Sequence, residues 1–177
     1  LTMAAGRTYT PIATTTISGS SVATVDFTSI SGSYTDLVVV CSIRGTQATS
    51  TVTLLQVCNA NRGNLYDGIT LKGDGTSATS ARYNYTDGTW YYAPMGLVPA
   101  ASTTSGTFSS QIINCNNYSN TTTYKTFIAR SGAAGYETQA IVNMFFQTPA
   151  ISRLTYYLSA GNFDIGSTIT LYGIAAA

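Results

Sequence analysis

Period two dominates wherever this chain shows an apolar pattern, and no stretch of eleven residues carries a convincing 3.6-residue apolar period. Strict alternation is the mark of a half-buried strand, so the pattern excludes helical and parallel α/β architectures. Between Ser21 and Phe27, Ala23, Val25 and Phe27 share one face while Thr24 and Asp26 take the other. Between Thr168 and Ile174, Ile169 and Leu171 alternate with Thr170 and Tyr172. Further strands are expected over Tyr9–Ile17, Asp36–Ile43, Thr51–Cys58, Gly68–Lys72, Thr107–Asn114, Thr123–Arg130, Ala140–Gln147 and Ile151–Ser159, all rich in residues that suit a pleated surface.

Turn signals punctuate these runs at short spacing: Ser18-Gly19-Ser20, Ser31-Gly32-Ser33, Gly73-Asp74-Gly75, Ser131-Gly132 and Gly161-Asn162. About ten short strands so divided argue for an all-β, single-domain antiparallel β-sandwich, in particular a jelly roll. Residues 74–80 and 99–106 are small and polar enough to form long loops. No linker divides the chain and no repeat is visible. The expected organisation is a short N-terminal arm over residues 1–11 and one sandwich domain over residues 12–177. At 177 residues such a domain buries roughly 70% of the surface its unfolded chain exposes, enough to fold without disulfides.

The chain has no histidine and only eight basic and seven acidic residues, so charged side chains make up 8% against about a quarter in an average protein. Its surface must consist of hydroxyls, amides and phenols. A serine triad lacks its usual base, and neither Lys72 nor Lys125 stands in an SxxK motif. Glu137 is the sole glutamate and the aspartates are dispersed, so the carboxylate pair of a glycosidase is not apparent. The expectation is a protein that is not an enzyme and takes no cofactor. Residues 73–77 lack the spaced carboxylates of an EF-hand, so no metal site is expected there.

A net charge of +1 with scattered basic residues predicts no nucleic-acid partner. No cationic segment precedes an apolar stretch and no apolar run approaches eighteen residues, so neither an export signal nor a membrane segment is expected. Cys41, Cys58 and Cys115 are odd in number and lack CxxC spacing, which suits buried thiols. Near-zero net charge leaves little repulsion between copies and favours self-association. The aromatic concentration at Trp90, Tyr91 and Tyr92, with Tyr83 and Tyr85, fits either an exposed contact platform or ordinary packing within a sandwich. The sequons at Asn84, Asn117 and Asn120 carry little weight in so Ser/Thr-rich a chain.

Four segments together resemble a family of small virion structural proteins of tailed bacteriophages, of the cyanophage and marine-phage type. They are residues 9–16 (YTPIATTT), 34–39 (YTDLVV), 117–126 (NYSNTTTYKT) and the closing stretch from Ile151 through Leu158-Ser159-Ala160-Gly161-Asn162-Phe163 to 166–174 (GSTITLYGI). The last is the most specific. Between Ala60 and Ser105 nothing matches.

The resemblance implies a β-sandwich on the outside of a virus particle. Its leading form is a capsid decoration, or cement, protein on the outer capsid surface, with the major capsid protein for a partner. Low net charge, the thirteen tyrosines and the local three-fold positions of such a particle add the expectation that it associates with itself as a homotrimer. The alternative is a tail or fibre component that binds host surface glycans. In the first case Arg7, Tyr9 and Pro11 of the arm are candidate contacts with the shell or a neighbour, by strand addition. In the second, Trp90, Tyr91 and Tyr92 are the candidate glycan platform.

Overall fold

A computed structural model describes residues 8–83 and 91–175. Twelve strands account for the regular structure of these residues, and no helix is present among them. They are β1 (Tyr9–Thr16), β2 (Thr24–Phe27), β3 (Asp36–Ile43), β4 (Thr51–Cys58), β5 (Tyr66–Gly73), β6 (Ala78–Tyr83), β7 (Ala93–Pro99), β8 (Ser109–Asn116), β9 (Lys125–Ala133), β10 (Glu137–Phe145), β11 (Leu154–Leu158) and β12 (Thr168–Ile174). They form an eight-stranded sheet ordered β1-β12-β3-β8-β9-β10-β5-β6 and a four-stranded sheet ordered β2-β11-β4-β7. Every pairing is antiparallel, so the protein is an all-β sandwich.

Eight of the strands pair first with last. β1 lies against β12, β2 against β11, β3 against β8 and β4 against β7, so the chain folds back on itself as one nested hairpin shared between two sheets. The other four form two local hairpins, β5–β6 and β9–β10, and both extend the larger sheet beyond β8.

Alternation decides what each strand buries. Leu37, Val39, Cys41 and Ile43 of β3, Ile113 and Cys115 of β8, and Ile169 and Leu171 of β12 point inward. They meet Val25, Phe27, Leu54, Met95, Leu154 and Tyr156 from the smaller sheet. Full burial of an aromatic such as Phe127 or Phe145 contributes about 1.5–3 kcal/mol.

Polar side chains close the free edge of the smaller sheet. β7 is its last strand, and Gln111 Nε2 and Ser131 Oγ both donate to the Leu97 carbonyl, at 3.0 and 3.3 Å, while Asn143 Nδ2 donates to that of Pro94 at 2.7 Å. These donors come from β8, β9 and β10, so the larger sheet supplies the partners that a further strand would otherwise give. The approach is close: a Cβ on Gly96 would overlap the Ser131 side chain, and its φ of +137° is one that favours glycine.

Two elements differ from the sequence expectation. The segment 74–80, expected as a long loop, is a short turn followed by β6, an edge strand whose residues stay largely exposed and therefore show no apolar alternation. β7 escapes the alternation rule because its two prolines and a glycine read as breakers; both prolines are tolerated in an edge strand. Tyr9 and Pro11, assigned by the sequence to an arm, pair with Ile174 and Tyr172 in β1.

Candidate interaction surface

The smaller sheet covers one face of the larger, and no strand among the described residues covers the other. On this outer face the register aligns side chains in rows. One row runs Val40, Ile112, Arg130, Ala140, Leu71 across β3, β8, β9, β10 and β5. The next runs Val38, Asn114, Ile128, Val142, Ile69. Val40, Ile112, Ile128, Val142, Ile69 and Leu71 are all exposed, from 36% at Ile112 to 57% at Ile69 and Leu71.

The flanking rows are mostly polar. Ser42, Ser110 and Thr138 lie beyond the first, and Asp36, Asn116, Thr126 and Asp67 beyond the second, with Met144 between the last two. An apolar centre inside a polar margin is the anatomy of a protein–protein interface. Single exposed aliphatics are ordinary, whereas six in adjacent positions form a patch that calls for a partner.

At one end of the stripe a cleft of about 210 Å³ has Ile69, Val142, Met144 and Phe146 in its walls, with Asp67 and Arg82 beside them. Arg82 Nη2 lies 2.8 Å from Asp67 Oδ2, and this bond holds the guanidinium pKa above its ordinary value. Asp67 Oδ1 has no donor. Pockets for drug-sized ligands run from about 300 Å³ upward, so the cleft matches a single protruding side chain better.

The residues singled out from sequence fall in two separate places. Tyr9 is exposed at the β1 edge and meets Tyr172 edge-on, with ring centroids 6.0 Å apart. Pro11 stands beside it, next to a register irregularity. Tyr91 and Tyr92 lead into β7, at the other side of the sandwich. Tyr91 is exposed, while Tyr92 packs edge-on against Tyr157 at 5.7 Å, with the Arg62 guanidinium 4.9 Å above the Tyr157 ring. Arg7 and Trp90, with Asn84 and Tyr85, lie outside the described residues.

Sequence reasoning misses the outer face, although a signal is present. Leu37 to Val40, Ile112-Ile113, Phe127-Ile128 and Ile141-Val142 are apolar on both faces of their strands, as in sheets covered on both sides.

Among the described residues the thiols are buried, and the carboxylates of Asp26, Glu137 and Asp74 are occupied. All three cysteines are free thiols in the core, and burial pushes those of Cys41 and Cys58 up to about 12, far from a nucleophile's range. Asp26 accepts hydrogen bonds from Arg153 and Thr155, and Glu137 from Gln139, with Lys72 Nζ 3.5 Å away. The Asp74 carboxylate is filled by the hydroxyls and amides of Thr76 and Ser77, which makes residues 73–77 a self-capped turn. Among the described residues no three His, Cys, Asp or Glu side chains come together to hold a metal. No protein-family model matches the chain, and no curated protein or solved structure is significantly similar to it.

Proposed function

We propose that this protein is a structural component of a bacteriophage virion. In this reading it is a capsid decoration protein that sits on the outer surface of the shell, takes the major capsid protein as partner and stabilises the particle without catalysing a reaction. The observation that carries it is the exposed aliphatic stripe of the eight-stranded sheet, a surface suited to a lasting protein contact and not to turnover.

The nested order of the eight strands supports reading the sandwich as a jelly roll, an architecture of two Greek keys that recurs in capsid and lectin domains. Fold alone does not carry a function, so the weight rests on the surface. On a symmetric shell, modest neutral contacts repeated many times add up to strong binding, which suits a chain with so few charges.

The test is the number of copies of this chain relative to the major capsid protein in purified particles, by quantitative mass spectrometry. A ratio of the same order is expected. A ratio of a few per cent sinks the decoration reading and moves the chain to the tail.

The second reading, a tail or fibre component that binds host glycans, is favoured by one observation: Tyr91 is 47% exposed beside the packed Tyr92 and Tyr157 pair. In that case Tyr91→Ala lowers adsorption to host cells, and unchanged adsorption rejects it.

A further inference from the structure

The outer face of the larger sheet has an internal symmetry in its charges. Val142 of β10 stands opposite Ile128 of β9 on one side and Ile69 of β5 on the other. Arg130 lies one strand away on β9 and two residues along in one direction, opposite Ala140. Asp67 lies one strand away on β5 and two residues along in the other direction, opposite Met144. A cation and an anion therefore sit at equal and opposite displacements from one exposed valine.

We infer that this face is buried against a second copy of the same chain, about a two-fold axis that lies in the interface, passes Val142 and runs perpendicular to the line from Arg130 to Asp67. Such an axis sets Val142 against its own counterpart and brings each Arg130 to the Asp67 of the other copy. The inference rests on the proposed reading of this stripe as a lasting protein contact and gives that contact to a second copy, so that a shell is met by other surfaces of the pair.

Three observations select a second copy as the occupant. First, the charges are self-complementary. Arg130 is exposed and makes no ion pair among the described residues, while Asp67 is paired to Arg82 through Oδ2 and its Oδ1 is buried, so Oδ2 is the oxygen that meets a second guanidinium. A carboxylate oxygen can accept from two donors. Second, the size suffices. About an axis at β10 the overlap spans the strands from β8 to β6. Five strands at about 4.8 Å spacing with seven residues at about 3.4 Å rise give about 570 Å² per copy, or about 1,100 Å² in total, where a specific interface needs about 1,000 Å². Third, a net charge of +1 leaves two copies almost without mutual repulsion. Isologous pairing through one shared patch is also the commonest way that soluble chains associate.

The test uses the full chain in solution. Sedimentation equilibrium of the wild type is expected to give the mass of two copies, and Val142→Lys and Arg130→Glu each to weaken association at least tenfold while thermal unfolding of the exposed-face variants stays cooperative. With a short bismaleimide cross-linker, which spans the gap of about 10 Å between stacked sheets, Val142→Cys is expected to link to its counterpart, whereas Val40→Cys, on the same stripe but three strands away, does not link. A monomer at high micromolar concentration, a trimer, or cross-linking at Val40 in preference to Val142 each overturns the inference. The cysteine pair keeps the test decisive if a charged variant fails to fold, because both substitutions are small. Failure in solution and failure of the copy-number measurement are separate results.

Discussion

Arg44 Nη1 donates to the Thr103 hydroxyl at 2.7 Å, joining residues 59 positions apart. The same guanidinium donates to the carbonyls of Thr104 and Thr107 at 3.1 and 2.9 Å and to that of Thr103 at 3.2 Å, while its Nε lies 3.6 Å from Asp164. The loop that follows β7 is thus wound around one buried cation. A planar fork with five donors can satisfy more carbonyls, over a wider span, than any other side chain.

Arg44→Ala is therefore expected to lower stability by at least about 2–3 kcal/mol, because it leaves the loop carbonyls without donors, whereas Asp164, 37% exposed, stays solvated. Arg44→Lys is expected to recover little of this, since an ammonium cannot reach the same set of acceptors. Chemical denaturation measures the loss, and limited proteolysis should cut the wild type more slowly than either variant within residues 101–107. Equal stability of Arg44→Lys and wild type would show that charge alone is what the loop needs.

Gly96 supplies the second prediction. Its φ of +137° and the overlap that a Cβ would make with the Ser131 side chain leave no room for a larger residue. Gly96→Ala is expected to cost at least about 1–3 kcal/mol from backbone strain alone. Adding Ser131→Gly removes the clash and leaves the strain, so the double variant should regain only part of the loss. Full recovery in urea denaturation would show that φ is not the constraint.

These two residues also mark where the sequence is readable and where it is not. β3, β4 and β12 have the bounds expected from sequence: β12 alternates throughout, and β3 and β4 are apolar runs bounded by turn residues. β6 has no buried face to alternate, and β7 is held by side-chain donors from Gln111, Ser131 and Asn143, which no local pattern records. The outer stripe is hidden for another reason. Its residues occupy strands scattered along the chain, and only the register makes Ile128, Val142 and Ile69 neighbours. Arg44 reads as one of several isolated basic residues until the loop it holds is in view.

Stability should fall steeply in alkali. Burial raises the thiol pKa of Cys41 and Cys58 from 9.0 to about 12, that of Tyr157 from 10.0 to about 12, and those of Cys115, Tyr66 and Tyr156 in the same direction. These groups stay protonated in the folded chain while the unfolded chain releases their protons. The contribution is complete below about pH 9 and is lost as pH rises toward 12, at about 1.4 kcal/mol per pH unit for each fully buried group. Lys125 opposes this, because burial lowers its pKa and the cost of holding it charged is relieved as pH rises. Urea midpoints from pH 8 to 11 should drop, and Cys41→Ala, although less stable at pH 8, should drop less steeply. An identical slope would exclude Cys41 from the effect.

The last prediction concerns the turn that carries β6. The Thr76 hydroxyl, with the amides of Ser77 and Thr76, holds the Asp74 carboxyl well below the usual carboxylate range. Since the folded value is the lower one, the contribution is present above the unfolded value of 3.8 and fades as pH falls toward the folded value. β6 is the outermost strand and pairs only with β5, so the turn acts on a unit able to open by itself. Amide exchange should therefore quicken along β6 at pH 2.5 relative to pH 5, after correction for intrinsic rates, while β3, paired on both sides, stays protected. Asp74→Ala should show the faster exchange at both pH values and lose the pH dependence. Protection of β6 that ignores both the substitution and the acid would mean that the hairpin is held by its ladder and by neighbours on the outer face, with the turn a passive connection.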